Sequence, residues 1–355
     1  TTFLSAFMSN TATAAMMVPV AMALITLVHS TKAAGDPDAV THERNFSLCI
    51  LLALAYGASI GGMATLIGSP PNGIYMRFME QTYGQVVSIA SWMKVGVPVT
   101  LLLFIVSFFV LTGLMFRNMG GSVPGGKEWV RNELRSMGKL STGEKAVGLC
   151  FLIAAVLWFS GAQLRGINID GWQPFKYLTD AVIAMGMGIV PFLIPVDRKG
   201  TMAMDWKTAN EAISWDVLLL FGGGLSLASA IQHTGVAQLI GAQVAVLAGS
   251  PFPVVLFGVV FIVTFATGVT SNTALAAMMM PLLAAVANAL GLPPQPILMG
   301  TALAASAAFI LPISTPPNAI VFGTGKIKIA DMFRAGILIN FVAIFVITGV
   351  MLLLD

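Results

Sequence analysis

Long apolar runs alternate with short polar segments along the whole chain, and their lengths predict a series of membrane helices. A run of about 20 apolar residues is what an α-helix needs to cross the ~30 Å hydrocarbon core of a bilayer. One such run begins at Val217, and others lie at 46–67, 95–116, 146–164, 179–196, 296–313 and 335–354. This pattern predicts an all-α polytopic membrane protein embedded in the lipid bilayer.

The same polar tripeptide interrupts the apolar pattern twice. Ser9-Asn10-Thr11 lies in S-N-T-A-T-A-A-M-M-V-P, and Ser271-Asn272-Thr273 lies in S-N-T-A-L-A-A-M-M-M-P. The arm after the first tripeptide, 12–28, is too short to cross a bilayer comfortably. An apolar arm, a polar tip and a returning arm predict a re-entrant hairpin, and the second hairpin has arms at 252–268 and 274–290.

A second paired motif follows each tripeptide. It reads Ser69-Pro70-Pro71-Asn72 in the first copy and Thr315-Pro316-Pro317-Asn318 in the second. Consecutive prolines remove backbone donors and stop a helix, so each motif predicts a broken helix. Non-helical backbone at membrane depth is tolerated only where it lines a cavity or is buried in protein. We therefore expect the two hairpin tips and the two breaks to meet at one cavity.

The composition excludes several classes of protein. The chain is 57% hydrophobic and 9% charged, whereas soluble domains carry about 25% charged residues. No Asp, Glu, Lys or Arg occurs between Val217 and Gly325, and the net charge of +3 gives no argument for nucleic acid. Cys49 and Cys150 lie in apolar runs and are expected to be small core residues. The spans lack a Ser-His, Asp-Asp or His-Glu-x-x-His constellation, which argues against an intramembrane enzyme.

Counting loop charges predicts the orientation. If the first hairpin opens to the cytoplasm, 14 of the 18 Lys and Arg residues lie inside, as the positive-inside rule requires. Five full spans then separate the two hairpins, so the two repeats have opposite orientations in the membrane. Inverted repeats with broken helices are typical of secondary transporters, with the binding site near the bilayer midplane. The expected location is the inner, cytoplasmic membrane.

The polar groups at the interruptions are neutral, which indicates the coupling ion. Helix N-termini present free N–H groups suited to a carboxylate, and Ser, Thr, Asn and carbonyl oxygens suit Na⁺. Proton coupling usually needs a titratable residue in the pathway, and none lies near either motif. Sodium coupling is therefore favoured. A passive anion channel, which needs a continuous pore, is the alternative from another functional class. An efflux pump of the arsenite type is a further alternative, but this sequence has no cluster of thiols to bind arsenite.

With these motifs in place, the chain resembles the divalent anion:sodium symporter family, the INDY-type dicarboxylate transporters. The resemblance implies a homodimer in which a transport domain moves as an elevator against a scaffold. It assigns 1–116 and 250–355 to the transport domain, 117–145 to a cytoplasmic linker, and 146–249 to scaffold spans and an interfacial helix. The internal repeat separately leads us to expect that roughly 125 further residues precede this sequence, because about that many precede the second S-N-T within its own repeat unit and only eight precede the first.

The resemblance further implies two or more sodium sites and one substrate site. The sodium ligands carried over by motif are Ser5, Ser9, Asn10 and Gly68 at the first tip, and Thr267, Thr270, Asn272 and Ser314 at the second. The substrate carboxylates would meet Asn10, Thr11, Ser69, Asn272, Thr273, Thr315 and Pro316.

The resulting prediction is sodium-coupled symport of a C4-dicarboxylate such as succinate, malate or fumarate. A sodium-independent dicarboxylate exchanger of the same fold is the first alternative. A sodium-coupled citrate or sulfate transporter is the second, because neutral and generic donors do not distinguish these anions.

Overall fold

The chain folds into helices joined by short turns. In this computed structural model, the described residues are 1–31, 39–117, 128, 131–132, 135–136, 138–170, 172–197, 200–213, 215–236, 239 and 249–354. The early helices are α1 Thr2–Ser5, α2 Asn10–Thr31, α3 Ala39–Gly62, α4 Pro70–Tyr83, α5 Ile89–Phe109, α6 Thr142–Arg165 and α7 Asp180–Ile189. The later ones are α8 Trp206–Ala212, α9 Trp215–His233, α10 Phe252–Ala266, α11 Asn272–Ala289, α12 Pro294–Ala305, α13 Pro316–Phe322 and α14 Ile329–Leu354.

Three shorter segments complete the helical structure, and pairing between extended segments is sparse. A π-helical turn, Val110–Met115, extends α5, and the 3₁₀ turns are Val190–Phe192 and Pro312–Ser314. Within the described residues, extended pairing is limited to the isolated bridges Ile169–Trp172 and Pro195–Met202. The all-α prediction is confirmed.

Six of the described segments are long and apolar enough to cross a membrane. They are Asn10–Val28, Val40–Gly62, Ile89–Met115, Thr142–Gly161, Asn272–Ala289 and Ile329–Leu354. The chain is therefore a multi-pass membrane protein. The length argument for a re-entrant first hairpin was wrong, since α2 begins at Asn10 and its 19-residue apolar stretch suffices to cross a bilayer. Re-entrance itself stays a prediction.

Several helix ends differ from their predicted places. The helix α3 ends at Gly62 rather than near residue 67, and α12 ends at Ala305 rather than near 313. Both ends precede stretches whose carbonyls accept hydrogen bonds from distant side chains, described below. The half-helix α4, which follows the first break, continues to Tyr83. It stops where Gly84, at φ 66°, donates its N–H back to the last turn.

Two compact units make up the chain. The first comprises the described residues of 1–87, 92–126 and 217–355, and it contains every motif residue. The second comprises the described residues of 88–91 and 127–216, where α6 packs on α7. The sequence assigned residues up to 249 to a scaffold, and that functional division stays a prediction. Most of the predicted interfacial helix, residues 237–238 and 240–248, lies outside the described residues.

Within the first unit, the helix that follows each break packs against helices of the other motif copy. The helix α4, which follows the first break, packs on α11 and α12 of the second copy. The helix α13, which follows the second break, packs on α2 and α3 of the first copy. This exchange brings the two breaks together in the interior of the unit.

Candidate functional site

The first tip is a tight turn between α1 and α2. The Ser9 hydroxyl accepts a hydrogen bond from the Ala12 N–H at 3.2 Å, which caps the start of α2. Ser5 is fully buried, and its Oγ donates to Asn10 Oδ1 at 2.6 Å. The turn therefore folds the Asn10 carboxamide back over the end of α1.

The second tip, between α10 and α11, repeats this arrangement. The Ser271 side chain accepts from the Ala274 N–H at 3.5 Å, and the fully buried Thr267 places its Oγ1 2.7 Å from Asn272 Oδ1. In both tips the hydroxyl precedes the asparagine by five residues. The shared S-N-T motif thus extends to an upstream Ser or Thr whose hydroxyl contacts the carboxamide.

The first break lies directly against the first tip. The Thr65 hydroxyl donates to the Ala6 carbonyl, and Gly68 is buried in the loop that follows α3. A Cβ at Gly68 would lie 2.7 Å from the Gly62 carbonyl oxygen and 3.1 Å from that of Ala6. Only glycine fits there, so the backbone of the break reaches the tip without an intervening side chain.

The second break contacts the second tip in a similar way. The Thr267 Oγ1 also lies 2.7 Å from the Ala305 carbonyl oxygen, at the end of α12. The Ser314 Oγ lies 2.9 Å from the Gly268 carbonyl oxygen in the tip and 2.7 Å from that of Leu311. Thr315 caps α13 by accepting from the Asn318 N–H at 3.3 Å.

One hydrogen bond joins the two breaks. The Ser69 and Ser306 hydroxyl oxygens are 2.9 Å apart, and both side chains are at least 98% buried. Each tip contacts its own break, and the breaks contact each other, so the four interruptions form one continuous polar region. These contacts confirm that the tips and breaks come together, and the cavity between them stays a prediction.

Around Thr267, the acceptor oxygens outnumber the protons available to bridge them. The Thr267 hydroxyl has one hydrogen, yet its oxygen lies within hydrogen-bond distance of two acceptors, Asn272 Oδ1 and the Ala305 carbonyl. The Ser314 hydroxyl likewise faces the carbonyls of Gly268 and Leu311. The Leu311 carbonyl also accepts from Asn318 Nδ2, so among the described contacts an acceptor without a proton remains only in the Thr267 set. Neutral oxygens grouped in this way favour a small hard cation.

The remaining predicted residues lie at the edges of this region. Thr273 and Thr315 are buried, whereas Ser9, Thr11, Thr270 and Pro316 are exposed. Thr270 donates to the Ala266 carbonyl at 2.9 Å, within its own turn. The predicted sodium and substrate roles of all these residues stay predictions.

Sequence reasoning missed three contributors. These are the Thr65 hydroxyl, the Ser306 hydroxyl and the Ala305 carbonyl. A backbone carbonyl leaves no signal in a sequence. Thr65 and Ser306 could have been found as polar residues close before a P-P-N motif in an otherwise apolar run.

Comparison with known proteins identifies the family. A family profile described as the sodium:sulfate symporter transmembrane region matches residues 1–354. The chain belongs to the sodium:sulfate symporter family. Symporters are transporters rather than enzymes, as the sequence predicted.

Individual members of the sodium:sulfate symporter family are similar along nearly the whole chain. It is 37% identical over 352 residues to the sodium-dependent dicarboxylate transporter SdcS of Staphylococcus saprophyticus. It is 37% identical over 349 residues to SdcS of Staphylococcus aureus. Each match covers 98% of this chain and 66% of the relative, so the chain spans about two thirds of the length of these relatives.

Proposed function

We propose that this protein couples the movement of Na⁺ to the uptake of a dicarboxylate across a membrane. The neutral oxygen atoms grouped at the two tips, with one Thr267 proton facing two acceptors at the second, are the observation that carries this proposal. The two relatives at 37% identity are both named sodium-dependent dicarboxylate transporters, which agrees with it.

Each tip supplies one sodium site in this proposal. The first uses Ser5, Ser9, Asn10 and Gly68, and the second uses Thr267, Thr270, Asn272 and Ser314. In both, a buried hydroxyl already lies 2.6–2.7 Å from the asparagine Oδ1. When the hydroxyl hydrogen rotates away, both oxygens present lone pairs to a cation. The Ala305 carbonyl joins the second set because it shares the Thr267 hydroxyl.

The dicarboxylate lies between the two tips, where three helix N-termini begin. The helices α2, α4 and α11 start at Asn10, Pro70 and Asn272 and are 22, 14 and 18 residues long. Free N–H groups at the starts of α2 and α11, together with the positive ends of the three helix dipoles, favour a carboxylate. The side chains of Thr11, Thr273 and Ser69 supply hydroxyl donors, and the edge is formed by Thr315 and Pro316.

The wider mechanism in this proposal rests on the family and on the paired motifs. The substrate is a C4-dicarboxylate such as succinate, malate or fumarate. The repeats are inverted, residues 1–116 and 250–355 carry the site as an elevator, the protein is a homodimer, and the membrane is the cytoplasmic one. An ion at each tip offsets the charge of a dianion, since an unpaired charge at mid-bilayer costs at least ~2.5–3.5 kcal/mol on insertion scales.

Tracer uptake into liposomes tests the function. Succinate uptake is measured with Na⁺, Li⁺, K⁺ or choline outside. We expect uptake to rise steeply with Na⁺, with a Hill coefficient above one, and Li⁺ to substitute poorly. Because coupling is reciprocal, succinate should raise the affinity for sodium by the same factor. Equal rates in choline and Na⁺ would refute symport and favour the sodium-independent exchanger.

Sulfate is the second candidate substrate, because the family description names it. Its charge and hydrogen-bond acceptors suit the same neutral donors. Competition separates the candidates: unlabelled succinate, citrate and sulfate are each added to the labelled succinate assay. Inhibition by sulfate at lower concentrations than succinate would identify sulfate as the preferred anion.

A further inference from the structure

The asparagine that ends the P-P-N motif makes equivalent contacts in both copies. Asn72 Nδ2 donates to the carbonyls of Gly62 and Thr65, both at 2.8 Å. Asn318 Nδ2 donates to the carbonyls of Ala308 and Leu311, at 3.1 and 3.0 Å. The acceptors lie ten and seven residues upstream in both copies. We call these two sets of contacts the asparagine clamps.

The chemistry of the acceptors fixes the orientation of both carboxamides. Each pair of carbonyl oxygens requires two donated hydrogens. Of the two ends of an asparagine carboxamide, only the NH₂ group carries them. The reverse orientation would set Oδ1 against two other oxygens. Both side chains are completely buried, and neither Oδ1 has a hydrogen-bond partner within the described part of the chain. Burying an unpartnered polar atom is costly, so these positions hold asparagine for its two donors.

Each clamp holds backbone that lies against a proposed sodium ligand. In the first copy, the carbonyl of Gly62 is held by Asn72, while the Cα of Gly62 faces the Asn10 carboxamide. A Cβ on Gly62 would lie 2.4 Å from Asn10 Oδ1. In the second copy, the Leu311 carbonyl accepts from both Asn318 Nδ2 and Ser314 Oγ. In the first copy the clamped residue Gly62 lies against the proposed ligand Asn10, and in the second the clamped carbonyl of Leu311 accepts from the proposed ligand Ser314.

We infer that Asn72 and Asn318 are positioning residues that set the sodium affinity of the first and second tips. This inference rests on the proposed function. The clamps replace helical hydrogen bonds that are lost where α3 and α12 end. They also hold each break at a fixed distance from its tip. Neither asparagine touches the ion; each fixes the backbone that determines where the ligand oxygens lie.

Sodium binding without transport tests the clamps. The thermal unfolding midpoint of the purified protein is titrated with NaCl against choline chloride, without dicarboxylate. Asn72→Leu and Asn318→Leu keep most of the side-chain volume and remove both donors. Asn288→Leu is the matched control, since Asn288 is exposed and accepts only a 3.4 Å hydrogen bond from Tyr83. Asn72→Ser supplies a smaller change if the leucine variant does not fold.

We expect the sodium dissociation constant, fitted from the rise of the midpoint with sodium concentration, to increase about 10- to 100-fold in each clamp variant and to stay unchanged in the control. A role in the fold alone would lower the midpoint without sodium and leave this dissociation constant as in the wild type. That result would overturn the inference, as would clamp variants that never yield folded protein while Asn288→Leu does. A wild type that sodium does not stabilise would instead refute the proposed function, and the inference with it.

Discussion

Replacing Gly62 with alanine adds one methyl group at the point where the first break meets the first tip. The new Cβ would lie 2.4 Å from Asn10 Oδ1 and 2.8 Å from Asn10 Nδ2. Ordinary contacts of a Cβ begin near 3.4 Å, so the carboxamide must retreat by about 1 Å. The end of a side chain moves more easily than backbone. We therefore expect Gly62→Ala to leave the fold intact and to displace one proposed sodium ligand.

The expected loss of sodium affinity follows from moving Asn10 Oδ1 away from its place beside Ser5 Oγ. Ser5 Oγ and Asn10 Oδ1 are 2.6 Å apart, and a 1 Å displacement removes that geometry. Losing a buried polar partner costs about 1–3 kcal/mol. At about 1.4 kcal/mol per tenfold change, the sodium concentration for half-maximal uptake should rise about 5- to 150-fold.

Succinate uptake measured against sodium concentration provides the assay, with expression and thermal stability followed in parallel. Gly258→Ala is the matched control, because Gly258 lies inside α10 and a Cβ there meets no atom within 4 Å. That variant should show the wild-type sodium dependence. Wild-type sodium dependence in Gly62→Ala would refute the role of Asn10 at the first tip, since the clash cannot be avoided without moving its carboxamide or the backbone.

Three further predictions concern the tips, the packing and the substrate. Asn10→Ala or Asn272→Ala should abolish uptake or weaken sodium binding about 5- to 150-fold while the protein stays folded, and uptake at wild-type rates would remove the tips from the mechanism. Gly336→Ala should lower the unfolding midpoint and the yield, because its Cβ would lie 2.1 Å from the Phe309 carbonyl oxygen. Gly349→Ala on the same helix meets open space and should show no such loss. Succinate uptake should fall with the dianion fraction as pH drops through the upper pKa of succinate, and a rate that is flat across that range would contradict dianion selectivity.

The places of the tips and breaks could be predicted from the sequence because polar motifs and prolines stand out against hydrocarbon. Asn272 begins a helix in the structure, as the S-N-T motif predicts, and Pro70 and Pro316 begin the helices after the breaks. Ser271 acts locally by capping the helix, and the two prolines act through their missing N–H. Local signals of this kind are readable without knowing which segments contact each other.

The extent of unwinding could not be predicted. The residues after Gly62 and Ala305 are as apolar as the helices before them, so their pattern favours continued helix. The helices end early because the freed carbonyls find donors elsewhere, from Asn72 at Gly62 and from Thr267 at Ala305. Such contacts depend on the three-dimensional arrangement. The Ser69–Ser306 contact spans 237 positions and was invisible for the same reason.

The exchanged packing of α4 and α13 means that neither half of the first unit is complete by itself. If the second copy were removed, α4 would lose α11 and α12 as neighbours, and Ser69 would lose the partner of its hydroxyl. If the first copy were removed, α13 would lose α2 and α3. An ancestor with a single copy would have had to obtain these surfaces from a second molecule of itself. Gene duplication and fusion would then have joined in one chain two partners that already completed each other.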